Sequence, residues 1–238
     1  MKVSLFSFLF NRYSSVLFLI ILVGTAYWFV ITNDCIVGYR LYEKASPENF
    51  ESLQKAIKDN PSLVNRKFSL GENNVSLVHM VCSSCNLEGI NYLISLDADF
   101  NQETTQGRTP LSILTTSSDP IALECIRVIL GSKLIEKASV TKPNRFGKSP
   151  VSFAISHYMP VYLKEYLKII NDNSLKVDKD MLLCEAVESL RETKEGIDIV
   201  SILLSEGASP SRKTLQNKSA VEIAKESGKK IFLDLLEK

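Results

Sequence analysis

Hydrophobic and polar positions follow two regimes along this chain. From Tyr13 to Asn33 there is no alternation: "YSSVLFLIILVGTAYWFVITN" carries no charge, and its apolar heart, Val16 to Ile31, is only weakly interrupted at Gly24 and Thr25. About 20 helical residues rising 1.5 Å each cross a hydrocarbon core of roughly 30 Å. The pattern therefore predicts a transmembrane helix over residues 14–33, behind a short basic segment at 1–13. Tyr13 stands at one boundary and Tyr27 and Trp28 near the other, where aromatic rings favour the interface. Beyond residue 45 no second span occurs, and apolar residues recur at helical spacing instead. Phe50, Leu53, Ala56 and Ile57 form one face of a helix, with Ser46 as its expected N-cap and Pro47 at its first position. In "GIDIVSILLSEGASP", Ile199, Ile202 and Leu203 recur at i, i+3 and i+4. "NLEGINYLISLDADFN", "IALECIRVILGSKLI" and "PVYLKEYLKIINDNSL" read the same way.

The helical region repeats itself. "GRTPLSIL" (Gly107–Leu114) returns as "GKSPVSFA" (Gly147–Ala154), with weaker copies in "NVSLVHMV", "DMLLCEAV" and "KSAVEIAK". Aligned at Ser76, Thr109, Ser149, Met181 and Ser219, the copies lie 33, 40, 32 and 38 residues apart. Each is followed by a second amphipathic stretch. A repeat of this length is one supersecondary unit that cannot bury its apolar face without neighbours.

These pieces resemble the ankyrin-repeat family over roughly residues 41–238. "GRTPL" and "GKSPV" match the start of its pattern, "VHMV" supplies its histidine as His79, and "SLDADFN" and "SEGASP" match its end. No single copy is perfect. The resemblance implies an all-α solenoid of about five helix-turn-helix repeats including caps, over residues 46–238. Residues 34–45 read as a linker or the start of a first helix. In such an array Thr109 and Ser149 cap first helices, with Pro110 and Pro150 behind them. Ala154, Ala186 and Ala224 let helices approach, and Leu93, Leu130, Leu167, Leu203 and Leu204 fill the stacked core.

Charge orients the anchor. Lys2, Arg12 and the amino terminus precede the span without an acid, whereas Asp34, Arg40, Glu43, Lys44 and Glu48 follow it. The positive-inside rule places the N-terminus in the cytoplasm and the array outside, in the periplasm if the cell is bacterial. A cleaved signal peptide is the other reading, since Gly24-Thr25-Ala26 resembles a cleavage site, but the apolar run continues past it. Lipidation at Cys35 does not fit the preceding "TND". The net charge of +1, with 23% charged residues, suggests no nucleic-acid partner.

Candidate chemistry is sparse. Phosphate-loop, dinucleotide, zinc-protease and nucleophile-elbow motifs are missing, so no enzyme activity, cofactor, metal or small-molecule substrate is expected. Cys82 and Cys85 form a C-x-x-C pair. Zinc would need further ligands, and a redox dithiol needs a strand before its helix. Structural thiols or a local disulfide remain. Cys85 falls where the family has the glycine of the helix–helix turn, a left-handed position. His79 is expected to hydrogen-bond backbone in adjacent turns. The segments between repeats become projecting tips, and they are rich in base: Arg66, Lys67, Arg108, Lys142, Arg145, Lys148, Lys176, Lys179, Arg212, Lys213 and Lys218. A basic edge would steer an acidic partner surface. Phe146, between Arg145 and Lys148, is the leading contact anchor. Asn73, Asn74, Arg108, Lys179, His157 and Tyr158 complete the expected partner-binding set.

The expected function is protein recognition at a membrane. Its most concrete form is an immunity protein that captures a secreted toxin, such as a type VI effector, in the periplasm. An envelope scaffold or stress-protection protein that binds a periplasmic enzyme is the alternative, as is a eukaryotic or viral membrane protein with a cytosolic array.

Overall fold

The structure, a computed structural model, describes residues 34–133, 137–215 and 217–238. The expected anchor at 14–33 lies outside the described residues, and among these no helix is long and apolar enough to cross a membrane. The array is a stack of antiparallel helix pairs. Helix α1 (residues 34–44) pairs with α2 (Phe50–Asp59), followed by α3 (Leu77–Ser83) with α4 (Leu87–Ser95) and α5 (Pro110–Thr115) with α6 (Ala122–Gly131). Then come α7 (Pro150–Ser156) with α8 (Pro160–Asp172), α9 (Lys179–Ser189) with α10 (Lys194–Ser205), and α11 (Ala220–Ser227) with α12 (Lys230–Leu236). The pair α1/α2 adds an N-terminal unit to the five marked by the repeated motif, because residues 34–44 are helical.

Local sequence explains most helix starts. Thr109 and Ser149 accept hydrogen bonds from the amides of Ser112 and Ser152, with proline at the first helical position. Ser219 and Glu222 form a reciprocal capping box. The fourth copy departs from the pattern. It has no Thr/Ser-Pro start, so α9 begins a turn early, Asp178 caps it through the amides of Asp180 and Met181, and Met181 lies inside the helix. Ser46 makes no side-chain cap, and a short 3-10 turn at Pro47–Asn49 precedes α2.

One tip departs from the all-helical expectation. Strands β1 (Lys67–Leu70) and β2 (Asn73–Ser76) pair antiparallel, with Lys67 opposite Ser76 and Leu70 opposite Asn73. The Gly71-Glu72 turn has positive φ at Gly71 (62°), as a type II′ hairpin requires. Phe68 is buried beneath the hairpin. Two hydrogen bonds stack the hairpin on the next tip: Asn74 N–H donates to Thr105 Oγ1 at 2.8 Å, and Lys67 Nζ donates to the Glu103 carbonyl at 2.9 Å.

The core is a continuous stripe. Val81, Leu114, Ala154, Ala186 and Ala224 occupy the same place in successive first helices and are all buried. Leu53, Leu93, Leu130, Leu167, Leu203 and Leu236 are buried in the second helices, whereas Leu204 is only partly covered. Tyr166 is buried in α8 and its hydroxyl meets Thr115 Oγ1 of α5 at 2.5 Å.

The C-x-x-C pair resolves into two free thiols. Cys82 packs into the buried face of α3. Cys85 adopts the left-handed turn position (φ 48°) and its sulfur faces Ser117 Oγ of the next repeat at 3.3 Å. The two sulfurs thus serve different neighbours, and no disulfide joins them. Burial raises the thiol pKa of Cys82, Cys85, Cys125 and Cys184. Half-buried Cys35 is therefore expected to react with an aromatic disulfide reagent first in the native protein, the buried four following only on unfolding. In denaturant without reductant all five should alkylate. Protection of a pair in that assay would restore the disulfide.

Candidate protein-binding face

First helices and tips lie on one side of the stack, and two hollows open there. The first has a volume of about 120 Å³ and gathers residues from α1, the hairpin, α3, the 104–108 tip and α5. Asn73 and Arg108, both expected contacts, line it together with His79, Tyr42, Val75 and Met80. Arg108 is half-buried; its guanidinium donates to the Ser112 carbonyl at 3.3 Å and to Thr116 Oγ1, and burial lowers its pKa. Asn73 Oδ1 and Arg108 Nε are buried without a hydrogen-bond partner among the described residues. Asn74 is exposed at the hairpin.

His79 is the hinge of this hollow, and its role is structural. Nδ1 accepts the Ser76 amide at 3.2 Å, and Nε2 lies 3.1 Å from the Gln102 carbonyl, to which it donates. This requires the neutral ring with its proton on Nε2. Burial lowers the pKa from 6.5 to about 4. The unfolded chain then binds a proton at 6.5 that the native chain refuses until about 4. The contribution is thus fully present above 6.5 and is lost as pH falls toward 4. The shift corresponds to about 3 kcal/mol. Urea titrations at pH 7.5 and 4.5 should show this dependence, and His79→Gln should remove most of it. An equal pH dependence in the variant would overturn the assignment.

The second hollow, about 230 Å³, lies over α9 between two tips, lined by Lys148, Met181, Cys184, Glu185, Glu188 and Thr214. Three tips share one turn: "TTQGR" at 104–108, "NRFGK" at 144–148 and "TLQNK" at 214–218. In each, the first residue's carbonyl accepts the amide of the fourth, which takes a positive φ. The tips flanking the hollow carry Phe146, 64% exposed, and Leu215, 97% exposed, and Met181 between them is 49% exposed. One apolar side chain thus stands open on α9 and one on each tip beside it. Arg145 lies over the Phe146 ring at 4.8 Å.

Six of the eleven cations of the basic edge read from the sequence are matched by acids. Lys148 pairs with Glu185, Arg66 with Asp34 at 2.5 Å, Arg212 with Asp180 at 2.7 Å, Lys213 with Glu222 at 3.4 Å, and Lys218 with Glu226. Lys179 is a strut: its Nζ donates to the Glu206 carbonyl at 3.0 Å and pairs with Glu206 Oε2 at 3.1 Å. Arg145 remains available, over its aromatic neighbour. His157 and Tyr158 lie at the far end of α7 from its tip, in the turn to α8. Tyr158 has φ 59°, and its hydroxyl accepts the Arg191 amide at 2.7 Å, so it braces the next repeat. The sequence reading missed Met181 and Leu215. Aligning the three tips would have exposed Leu215, which takes the place of Arg145 in its turn.

Compared by sequence, the chain matches no family model and no curated protein. Solved structures do share its fold. The ankyrin repeat protein EF0377 superposes with a TM-score of 0.67 at 19% identity, covering 83% of this chain and 96% of its own. An ankyrin repeat domain from Acinetobacter baumannii gives 0.66 at 17% identity, covering 84% and 96%. A chain in the structure of the predatory endopeptidase Bd0816 from Bdellovibrio bacteriovorus in complex with the immunity protein Bd3460 gives 0.63 at 14% identity, covering 83% and 96%. By its fold, the described array is an ankyrin-repeat domain.

Proposed function

We propose that the chain is a membrane-tethered protein-binding module that captures and neutralises a secreted enzyme outside the cytoplasm, as an immunity protein does. Ankyrin-repeat domains are typically non-enzymatic binding modules, and stacked repeats present an extended recognition face. The observation that carries the reading is the exposure of Met181 in the α9 hollow and of Phe146 and Leu215 on the two tips that flank it. Exposed aromatic and long aliphatic side chains beside an arginine are what interface anchors look like before a partner covers them. The complex of an endopeptidase with an immunity protein, one of whose chains shares this fold, supports the same class of partner. The partner would offer an apolar pocket for Phe146 with an acidic group opposite Arg145. Residues 14–33 would hold the array at the inner membrane, N-terminus inside.

The test is deletion followed by challenge. Cells lacking the chain should become sensitive to a toxin secreted by their neighbours, and the full chain should restore resistance. Full resistance after deletion would reject the immunity role. With the array outside the cytoplasm, as proposed, a phosphatase fused to the C-terminus should be active; an inactive fusion of normal abundance would reject that topology.

A further inference from the structure

Helix α1 breaks the rule for a terminal unit of a stack, which ordinarily turns a polar face outward. Its inner side is fixed: Leu41 and Ala45 are buried, and Asp34 at its start is held by Arg66 at 2.5 Å. Its outer side carries Ile36, Tyr39, Arg40 and Glu43, with Ile36 49% and Tyr39 54% exposed. At 100° per residue these four fall on one arc opposite Leu41 and Ala45.

The order along that arc is informative. The uncharged run ends at Asn33, directly before Asp34, the first described residue of α1. At 1.5 Å per helical residue, Ile36 lies about 5 Å from Asn33, Tyr39 about 9 Å and Glu43 about 15 Å. Even an extended chain could carry Ile36 no further than about 10 Å. The polar layer of a bilayer is roughly 5–8 Å deep on each side. Ile36 thus falls inside that layer, while the backbone of Tyr39 and Arg40 lies just beyond it; helical side chains lean toward the N-terminus, so the Tyr39 ring and the Arg40 stem reach back into the layer and Glu43 stays in water. Tyrosine favours that boundary, and arginine reaches phosphate while its stem stays apolar.

We infer that the outer face of α1, through Ile36, Tyr39 and Arg40, rests in the headgroup layer of the membrane that residues 14–33 cross. This rests on the tether proposed above. Because α1 is packed into the domain, the contact fixes how the whole array stands on the bilayer; residues 34–44 are no free leash.

Emission from single tryptophans tests it. The full chain with Trp28→Phe is reconstituted in vesicles of phosphatidylethanolamine and phosphatidylglycerol, with Ile36→Trp, Tyr39→Trp, Glu43→Trp or Glu51→Trp added singly. Brominated lipid should remove about half the emission at 36 and 39, little at 43 and none at 51. Chain that floats with vesicles yet shows positions 36 and 39 as unquenched as 51 would overturn the apposition and leave the tether standing. Chain that does not float would overturn both. Shielding of 36 and 39 from aqueous iodide only after a protein partner is added would assign the face to that partner and overturn the inference.

Discussion

Replacing Gly196 by alanine should destabilise the array by about 3 kcal/mol, the upper range for forcing a methyl into a packed site. A Cβ at position 196 would lie 2.2 Å from the Arg191 carbonyl oxygen and 3.5 Å from Phe232 Cζ. The carbonyl cannot retreat cheaply, because the Arg191 amide on the same residue donates to Tyr158 at 2.7 Å. The helix cannot retreat either: the Gly196 amide is capped by Thr193 Oγ1 at 3.3 Å, and Phe232 packs behind it. Relief on either side breaks a bond between repeats or a cap worth about 1 kcal/mol. Gly131→Ala is the control. That glycine ends α6 in open space, and alanine there should be neutral or stabilising by up to about 1 kcal/mol. Urea denaturation of both variants decides the matter, and a Gly196→Ala midpoint within error of wild type would refute the steric argument.

Phe146→Ala should weaken partner binding by about 30-fold, roughly 2 kcal/mol, while leaving stability within about 0.5 kcal/mol of wild type. The ring is 64% exposed, so on the order of 100 Å² remains to be buried, worth roughly 2–3 kcal/mol. Its loop is already fixed by Asn144, whose Oδ1 accepts the amides of Phe146 at 2.9 Å and Lys148 at 3.0 Å. Binding therefore costs little ordering, which is the condition for a strong anchor. Arg145→Ala should cost less, because its guanidinium supports the ring from one side. Titration of the variants against the toxin identified by the challenge assay supplies the affinities. A change below threefold for Phe146→Ala would move the contact surface elsewhere.

What could be read from the sequence followed how local its cause was. Thr109, Ser149 and Ser219 announce their helices because a cap acts within three residues. The left-handed turn at Cys85 was legible from its place in the repeat. The start of α9 was not, since Asp178 caps without the Thr/Ser-Pro signature used to set the register. The hairpin at 67–76 was missed because four-residue strands show too few alternations to separate from a loop. Most misleading were the tip cations. Their composition was plain, but Lys148 meets Glu185 and Arg212 meets Asp180 across more than thirty residues, and only the stacking of repeats brings them together. The exposure of Phe146 was legible because an aromatic residue in a basic tip has no local structural use.

Those matched tip charges bear on kinetics. A face on which six of eleven lysines and arginines are answered by nearby acids projects a weaker long-range field than its composition suggests. Steering of a partner would then be modest, with an association rate only somewhat above the unassisted value of roughly 10⁵–10⁶ M⁻¹s⁻¹ and a weak dependence on ionic strength. Discrimination between partners would lie in residence time, set by how well Phe146, Met181 and Leu215 are enclosed. Such an array selects its partner by how slowly it lets go.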